Sequence, residues 1–272
     1  MHWFFFLSLI SIIGLPVALL AMQEQRWFKK ILFFHSPRYL RPISHKLKPI
    51  NLYYNHLNEE KRKEFDWRVY YFLDSTSIEF KHFKPTQLMN YNAIRYLIAS
   101  VATQMTLFLT EDCFDSIKRI IFYPDSYYSP ITGKYHKGET NPAAGWIILS
   151  WESFRSGFYR SNDGINLLIH ELAHALWLEN KLFQYEIFPV EAFGRYKTLS
   201  HELLNENGAN NNFLRRYAYK NEEEFFAVVV ENFFERPQDF KKEMPNLYAS
   251  VVDLFNHDPM SYLPGKNSVD FH

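Results

Sequence analysis

His170, Glu171 and His174 stand together as His-Glu-Leu-Ala-His. On a helix, residues four apart lie one turn apart on the same face. Two imidazole nitrogens so placed can reach one divalent ion at about 2.0–2.1 Å. Glu171 lies about 100° further round the axis, near such an ion but poorly placed to ligate it. A carboxylate there can take a proton from water that the metal activates, the role of a general base. Leu167, Leu168, Leu172, Ala173, Ala175 and Leu176 surround these residues and predict a buried helix. Two buried histidines and a glutamate need polar partners, and a metal supplies them. The bland alternative is two unrelated histidines on a core helix. Such a string arises by chance in roughly one chain of this length in a hundred, so the metal is the stronger expectation.

A catalytic zinc takes a third protein ligand and keeps one position open. After His174 the chain reads Ala175-Leu176-Trp177-Leu178-Glu179-Asn180, without the extension His-x-x-Gly-x-x-His. The third ligand is therefore expected from another helix, and the candidate segment runs from Tyr217 to Phe234. Asn221 is the expected cap, with Glu224 at the capping-box position. Phe225, Val228, Val229, Asn232 and Phe233 form the apolar side. Glu224 and Glu231 are seven apart and share a face. Glu222 and Glu223 sit in the first turn, where acids suit the helix dipole. Spacing alone leaves the third ligand open among Glu224, Glu231 and a residue elsewhere. The other histidines, such as His136 and His201, lack comparable geometry and read as surface or capping residues.

These residues need elements to position them. Asp163 or Asn162 is the expected cap of the His-Glu helix, which spans about residues 163–180. Asn58 caps a helix through residues 59–73 with Phe65, Val69, Phe72 and Leu73 on one face. Pro85 opens an apolar helix through about Leu109. Ile117–Tyr123 and Gly145–Ser150 have strand character, the second an edge strand able to pair with an extended substrate or an ordinary core strand. Residues 124–144 read as a loop, and 199–206, 221–235 and 238–256 as helical. Helices with a small sheet and no regular alternation predict an α+β domain. A chain of 272 residues with 47% hydrophobic and 22% charged residues excludes disorder. Thirty basic and thirty acidic residues balance, so no global nucleic-acid-binding surface is expected. One cysteine, Cys113, excludes an intramolecular disulfide and any multi-cysteine zinc site; it reads as a small buried hydrophobe.

Residues 3–22 carry no formal charge. Twenty helical residues rise about 30 Å, the thickness of a bilayer's hydrocarbon core. No Lys or Arg precedes the run and no small-residue cleavage pattern closes it, so an uncleaved anchor is preferred over a signal peptide or a buried helix. Arg26, Lys29, Lys30, Arg38, Arg41, Lys46 and Lys48 follow, with Glu24 the one acid before Glu59. That imbalance predicts that the rest of the chain stays on the cytoplasmic side, and the basic residues suit anionic lipid.

His170–His174, the aromatic segment Glu224-Phe225-Phe226-Ala227-Val228 continuing to Glu231-Asn232-Phe233-Phe234-Glu235-Arg236-Pro237, Ile120–Asp125 and Gly145–Ser153 together resemble the Mlc titration factor A family of zinc-dependent peptidases. The four blocks occur in the family's order, and the resemblance covers roughly residues 55–260. It implies a zincin-like, mostly helical metallopeptidase domain with a small sheet, of the gluzincin-like type. It also implies that Glu224 completes a His170–His174–Glu224 site for one zinc ion. By the same resemblance Tyr217 donates a hydrogen bond to a developing oxyanion, and Glu231 orients a ligating histidine. Two departures stand out: family members are soluble, and the stretch between the two helix motifs is shorter here. The family's namesake property is binding a transcription repressor; residues 23–56 and 258–272 show no feature that supports it.

The expected layout is a transmembrane anchor at 1–25, a basic juxtamembrane connection at 26–55, the metallopeptidase domain at 56–260 and a tail at 261–272. The expected function is a membrane-anchored zinc peptidase acting on peptides or proteins, held at a bacterial inner membrane and facing the cytoplasm. The alternative is a zinc-containing regulatory protein that sequesters a partner such as a transcription repressor.

Overall fold

Short β-branched and aromatic runs supply the sheet behind the His-Glu helix. A computed structural model describes residues 25–35, 43–83, 91–159, 163–182, 186–206 and 212–262. The strands are β1 (Ser77–Phe80), β2 (Arg119–Tyr123), β3 (Tyr127–Ser129), β4 (Lys134–His136), β5 (Gly138–Asn141) and β6 (Trp146–Ser150). β1, β2 and β6 are parallel, and β5 lies antiparallel on β6, in the order β1-β2-β6-β5. β3 and β4 form a separate hairpin. Ile120, Phe122, Ile147 and Leu149 are fully buried, as parallel strands covered on both faces require.

Two expectations are corrected here. The stretch 124–144, read as a loop, contains β3, β4 and β5. Each has only three or four residues and largely polar side chains, so no alternation of apolar residues marks it. Gly145–Ser150 is also not an edge strand. β6 is central, between β2 and β5, and the edges are β1 and β5.

The helices are α1 (Arg26–His35), α2 (Leu52–His56), α3 (Glu59–Ser75), α4 (Tyr91–Thr106), α5 (Trp151–Tyr159), α6 (Leu167–Leu182), α7 (Val190–Asn205), α8 (Glu222–Glu235), α9 (Pro237–Glu243) and α10 (Pro245–Phe255). Asn58 caps α3 as expected, its Oδ1 accepting from the Lys61 N–H at 2.8 Å. Phe65, Val69 and Phe72 on α3 are buried. The helix expected at 238–256 is two, because Pro245 lacks an N–H and starts α10 afresh. Pro85 and Asn162 lie outside the described residues, as does the apolar segment 3–22. Among the described residues no helix is long and apolar enough to cross a membrane.

The basic stretch that follows the apolar segment folds onto the domain. Phe33 of α1 is buried against the rings of Trp67 and Tyr70. Ile43, Leu47, Tyr53, Tyr54 and Leu57 join the same core.

α6 is held at both ends. Its cap is Asn166, whose Oδ1 accepts from Ile169 N at 3.2 Å, where Asp163 or Asn162 was expected. Asp163 instead closes the preceding turn, accepting from Ile165 N at 2.9 Å. Near the other end, the fully buried Glu179 accepts from Phe114 N at 2.8 Å, Ser116 N at 2.9 Å and the Ser116 hydroxyl. These bonds tie α6 to the turn that leads into β2. α8 packs alongside α6, with Phe225, Phe226, Val228, Val229 and Phe233 fully buried.

Asp66 on α3 gives the fold a pH dependence remote from the His-Glu helix. Burial pushes its carboxyl up to about 7, against the opposing pull of the Tyr54 hydroxyl, Arg62 and Lys48. The unfolded value is near 3.9, so the folded chain holds more protons between these limits. Stability is therefore full below about pH 4 and falls as pH rises through 7. Between pH 5 and 8 the wild type is expected to lose roughly 2 kcal/mol more than Asp66→Asn. Urea midpoints across that range check the difference; parallel slopes would refute it.

Candidate metal centre and active site

α6 presents His170 and His174 from successive turns, and the first turn of α8 presents Glu224. Asn221 caps α8 as expected, its Oδ1 accepting from Glu224 N at 2.8 Å. The Glu224 carboxylate does not turn back to complete a capping box. It reaches across to α6, where Oε2 lies 3.2 Å from His170 Nε2 and 3.4 Å from His174 Nε2. The two Nε2 atoms are 3.1 Å apart. Tetrahedral bonds of about 2.0–2.2 Å put ligand atoms about 3.3 Å apart, so this triangle has the size of a metal site. Glu224 Oε2 is buried and has no hydrogen-bond partner of acceptable geometry. An orphaned carboxylate oxygen between two imidazole nitrogens is a donor set that fits a divalent cation. His170, His174 and Glu224 are also the one such cluster among the described residues.

Electrostatics favour positive charge at the same point. Burial alone would lower the His170 pKa, but Glu224 and Glu231 outweigh it and raise the value to about 10. Burial would raise Glu224, yet His170, His174 and the Tyr217 hydroxyl hold its carboxyl well below the usual range. A field that attracts a proton so strongly also attracts a metal ion.

Glu231 supports the histidine from behind. His170 Nδ1 is 2.5 Å from Glu231 Oε1. This contact puts the ring proton on Nδ1 and leaves the Nε2 lone pair for a metal. Asn166 N donates to Glu231 Oε2 at 2.9 Å, joining the start of α6 to α8. Arg215 closes the arrangement with a two-pronged contact, NH2 to Oε1 at 2.6 Å and NH1 to Oε2 at 2.9 Å. It also reaches the Gly164 carbonyl at 3.1 Å. The hydrogen bonds from His170 and Arg215 overcome burial and keep Glu231 ionised. Sequence reasoning missed Arg215. It lies in irregular chain beside Arg216, and spacing does not distinguish the two.

Glu171 is buried, and its charge acts on both His170 and Tyr217. Its carboxylate is set by β5. The Thr140 hydroxyl lies 2.8 Å from Glu171 Oε2 and 3.0 Å from the Glu171 carbonyl. On the same strand Gly138 leaves the space the carboxylate occupies. A Cβ at Gly138 would lie 2.2 Å from Glu171 Oε1 and 2.7 Å from Cδ. Neither residue was found by sequence reasoning, because β5 was read as loop. The pattern Gly-x-Thr in a polar strand carries no motif signal. Gly138→Ala and Thr140→Val are each expected to lower kcat about a hundredfold, the effect of misplacing a catalytic group by about 1 Å. KM and metal content should stay near wild type; loss of metal, or an unchanged kcat, would count against this role for β5.

Tyr217 lies in the 3-10 turn Arg216–Lys220 that leads into α8. Its hydroxyl donates to Glu224 Oε1 at 2.5 Å, and Lys220 Nζ approaches the same oxygen at 3.4 Å. The ring is partly exposed at the mouth of the site. The remaining candidates stay outside. Glu222 pairs with His201 at 2.6 Å, Glu223 lies 3.8 Å from Lys181, and His136 contacts Thr132 on the hairpin. Cys113 sits elsewhere, its thiol pushed up to about 12 by burial.

Comparison with known proteins points to a family of metallopeptidases. The family described as "Glucose-regulated metallo-peptidase M90" matches residues 26–256. The chain is 26% identical over 213 residues to Mlc titration factor A of Escherichia coli O1:K1 / APEC, covering 70% of this chain and 78% of that protein. It is 28% identical over 171 residues to Mlc titration factor A of Edwardsiella ictaluri, covering 55% and 64%. An uncharacterized protein of Synechocystis sp. is 25% identical over 230 residues, covering 76% and 81%.

Proposed function

The chain belongs to the glucose-regulated metallo-peptidase M90 family, and on that premise we propose a membrane-anchored zinc peptidase that uses Glu171 as its general base. One observation carries the proposal: the 3.1–3.4 Å triangle of His170 Nε2, His174 Nε2 and Glu224 Oε2 beside a buried, strand-aligned carboxylate. Zinc held by these three residues would supply Lewis acidity, making water nucleophilic near neutral pH and polarising the scissile carbonyl.

The protein's own groups do the rest. Glu171 accepts the proton of the attacking water at a carboxylate oxygen and returns it to the leaving amine. Thr140 and Gly138 hold that carboxylate in place. Glu231 and Arg215 keep His170 oriented. The Tyr217 hydroxyl, held on Glu224, swings to the oxyanion that develops on the carbonyl and donates a hydrogen bond to it. β5 is the sheet edge nearest the site and takes an extended peptide as an added strand. Residues 3–22 anchor the chain in a bacterial inner membrane with the peptidase domain on the cytoplasmic side.

The relatives' name, Mlc titration factor A, supports a second reading, a regulatory protein that holds a partner such as a transcription repressor. An aligned general base has no use in mere sequestration, which favours the enzyme. Full-length protein in vesicles is expected to hold one zinc per chain and to cleave members of a peptide library. Chelation should abolish cleavage and added zinc should restore it. Stoichiometric zinc with no cleavage would leave the regulatory reading in its place.

A further inference from the structure

We infer that α1 lies in the membrane interface and seats the peptidase domain against the bilayer through Trp27, Ile31, Leu32 and Phe34. The inference deepens the anchored reading above and rests on it. α1 is amphipathic in the opposite sense to an ordinary surface helix. Successive residues turn by about 100°, which places Arg26, Lys29, Lys30 and Phe33 on one side. That side faces the protein. Phe33 is buried against Trp67 and Tyr70. Arg26 pairs with Asp112 at 2.7 Å and with Asp115, and its guanidinium lies 4.4 Å from the centre of the Tyr71 ring. Lys29 pairs with Asp74 at 2.9 Å. Lys30 lies 3.3 Å from Glu64 and also pairs with Glu111.

The opposite side is open and apolar apart from His35, whose Nδ1 lies 2.8 Å from the Ile31 carbonyl of the same helix. Trp27 is 52% exposed, Ile31 48%, Leu32 48% and Phe34 36%. A surface helix normally buries its apolar stripe and solvates its charges. α1 does the reverse, so its outward stripe suits an apolar medium.

Chain length says which medium. The uncharged run ends at Met22, and only Gln23, Glu24 and Gln25 separate it from Arg26. Three residues span about 10 Å when fully extended, and the headgroup layer on one side of a bilayer is about 5–8 Å thick. If residues 3–22 cross the membrane, this reach keeps the start of α1 within or directly beside that layer. Interfacial helices bury an apolar face about 5–10 Å deep at this boundary, and Trp is enriched there. Arg26, Lys29 and Lys30 are not offered to anionic lipid, because acids of the domain already hold them. Those ion pairs make α1 a rigid mount, so the membrane fixes the orientation of the domain rather than tethering it loosely.

The test uses the full chain in phosphatidylcholine vesicles. Cys113, the one cysteine, is replaced in a Cys113→Ser background whose retained peptide cleavage reports the fold. Single cysteines are introduced by Ile31→Cys and, as an aqueous reference on β4, Tyr135→Cys, and each is labelled with an environment-sensitive fluorophore. Doxyl-labelled lipid should quench the label at position 31 at least twofold more than the label at 135, while aqueous iodide should show the reverse order. Equal quenching at both positions, or a label at 31 open to iodide in protein that floats with the vesicles, overturns the proposal. A label at 31 shielded from iodide yet insensitive to doxyl lipid also overturns it, and points to a second copy of the chain on that face. Protein that does not float with the vesicles overturns the anchor itself, a failure distinct from the others.

Discussion

Glu171→Gln is expected to lower kcat by about 10³–10⁴ while zinc content and thermal stability stay at wild-type levels. General bases contribute roughly 10²–10⁴, and an amide at this position cannot accept the proton of the attacking water. The structure explains why metal should survive the change. Glu171 is not one of the three residues whose ligand atoms converge, and its carboxylate faces Gly138 and Thr140 on β5. The amide is nearly the size of the carboxylate, so the cradle at Gly138 still accommodates it. Metal analysis beside single-turnover cleavage separates the two effects. A variant that turns over like wild type would remove Glu171 from the chemistry, and one that loses zinc would show that it is a ligand.

Glu224→Ala is expected to weaken zinc binding by several orders of magnitude, whereas Glu222→Ala and Glu223→Ala leave it within a fewfold. All three acids occupy the first turn of α8, but only Glu224 points at the histidines. Glu222 and Glu223 face His201 and Lys181 at the surface. Removing Glu224 also frees the Tyr217 hydroxyl and takes the carboxylate from His174 and from Nε2 of His170, which keeps Glu231 only at Nδ1, so the loss exceeds that of one ligand. Competition with a chromophoric chelator measures the affinities directly. Should Glu231→Ala abolish binding while Glu224→Ala retains it, the two acids have exchanged roles. With the present geometry Glu231→Ala is expected to weaken zinc about 10–100-fold, the usual effect of removing a group that orients a ligating histidine.

The parts of the site carried by long helices were legible before any coordinates. A four-residue spacing has one meaning on a helix, and Asn221 announces where α8 starts, so His170, His174 and Glu224 could each be placed on an element. Spacing did not choose between Glu224 and Glu231, because residues seven apart share a face. The choice came from family resemblance, and the structure separates the acids by depth, one turned to Nε2 and the other to Nδ1 of the same ring. What remained hidden was everything held by pairing rather than by period. Gly138 and Thr140 sit in a four-residue polar strand held by pairing with β6 and by contact with α6, and Arg215 is positioned by the carboxylate it grips. α1 was legible as basic but not as inverted, since the acids that turn its charges inward lie from 34 residues (Lys30 to Glu64) to 89 residues (Arg26 to Asp115) along the chain.

β5 works on two sides at once. One side carries the hydroxyl and the gap that set Glu171; its outer backbone edge is where a peptide would lie. A substrate that pairs well along that edge would stiffen the strand and steady the base through the same four residues. Poor pairing would then be felt as slow turnover as well as weak binding, because remote contacts would be sustaining the geometry of the chemical step. Selectivity in such an enzyme would not reside in a pocket for one side chain. It would lie in how readily a stretch of polypeptide straightens, so that unfolded or frayed segments are cut and folded ones are spared without any sequence being read.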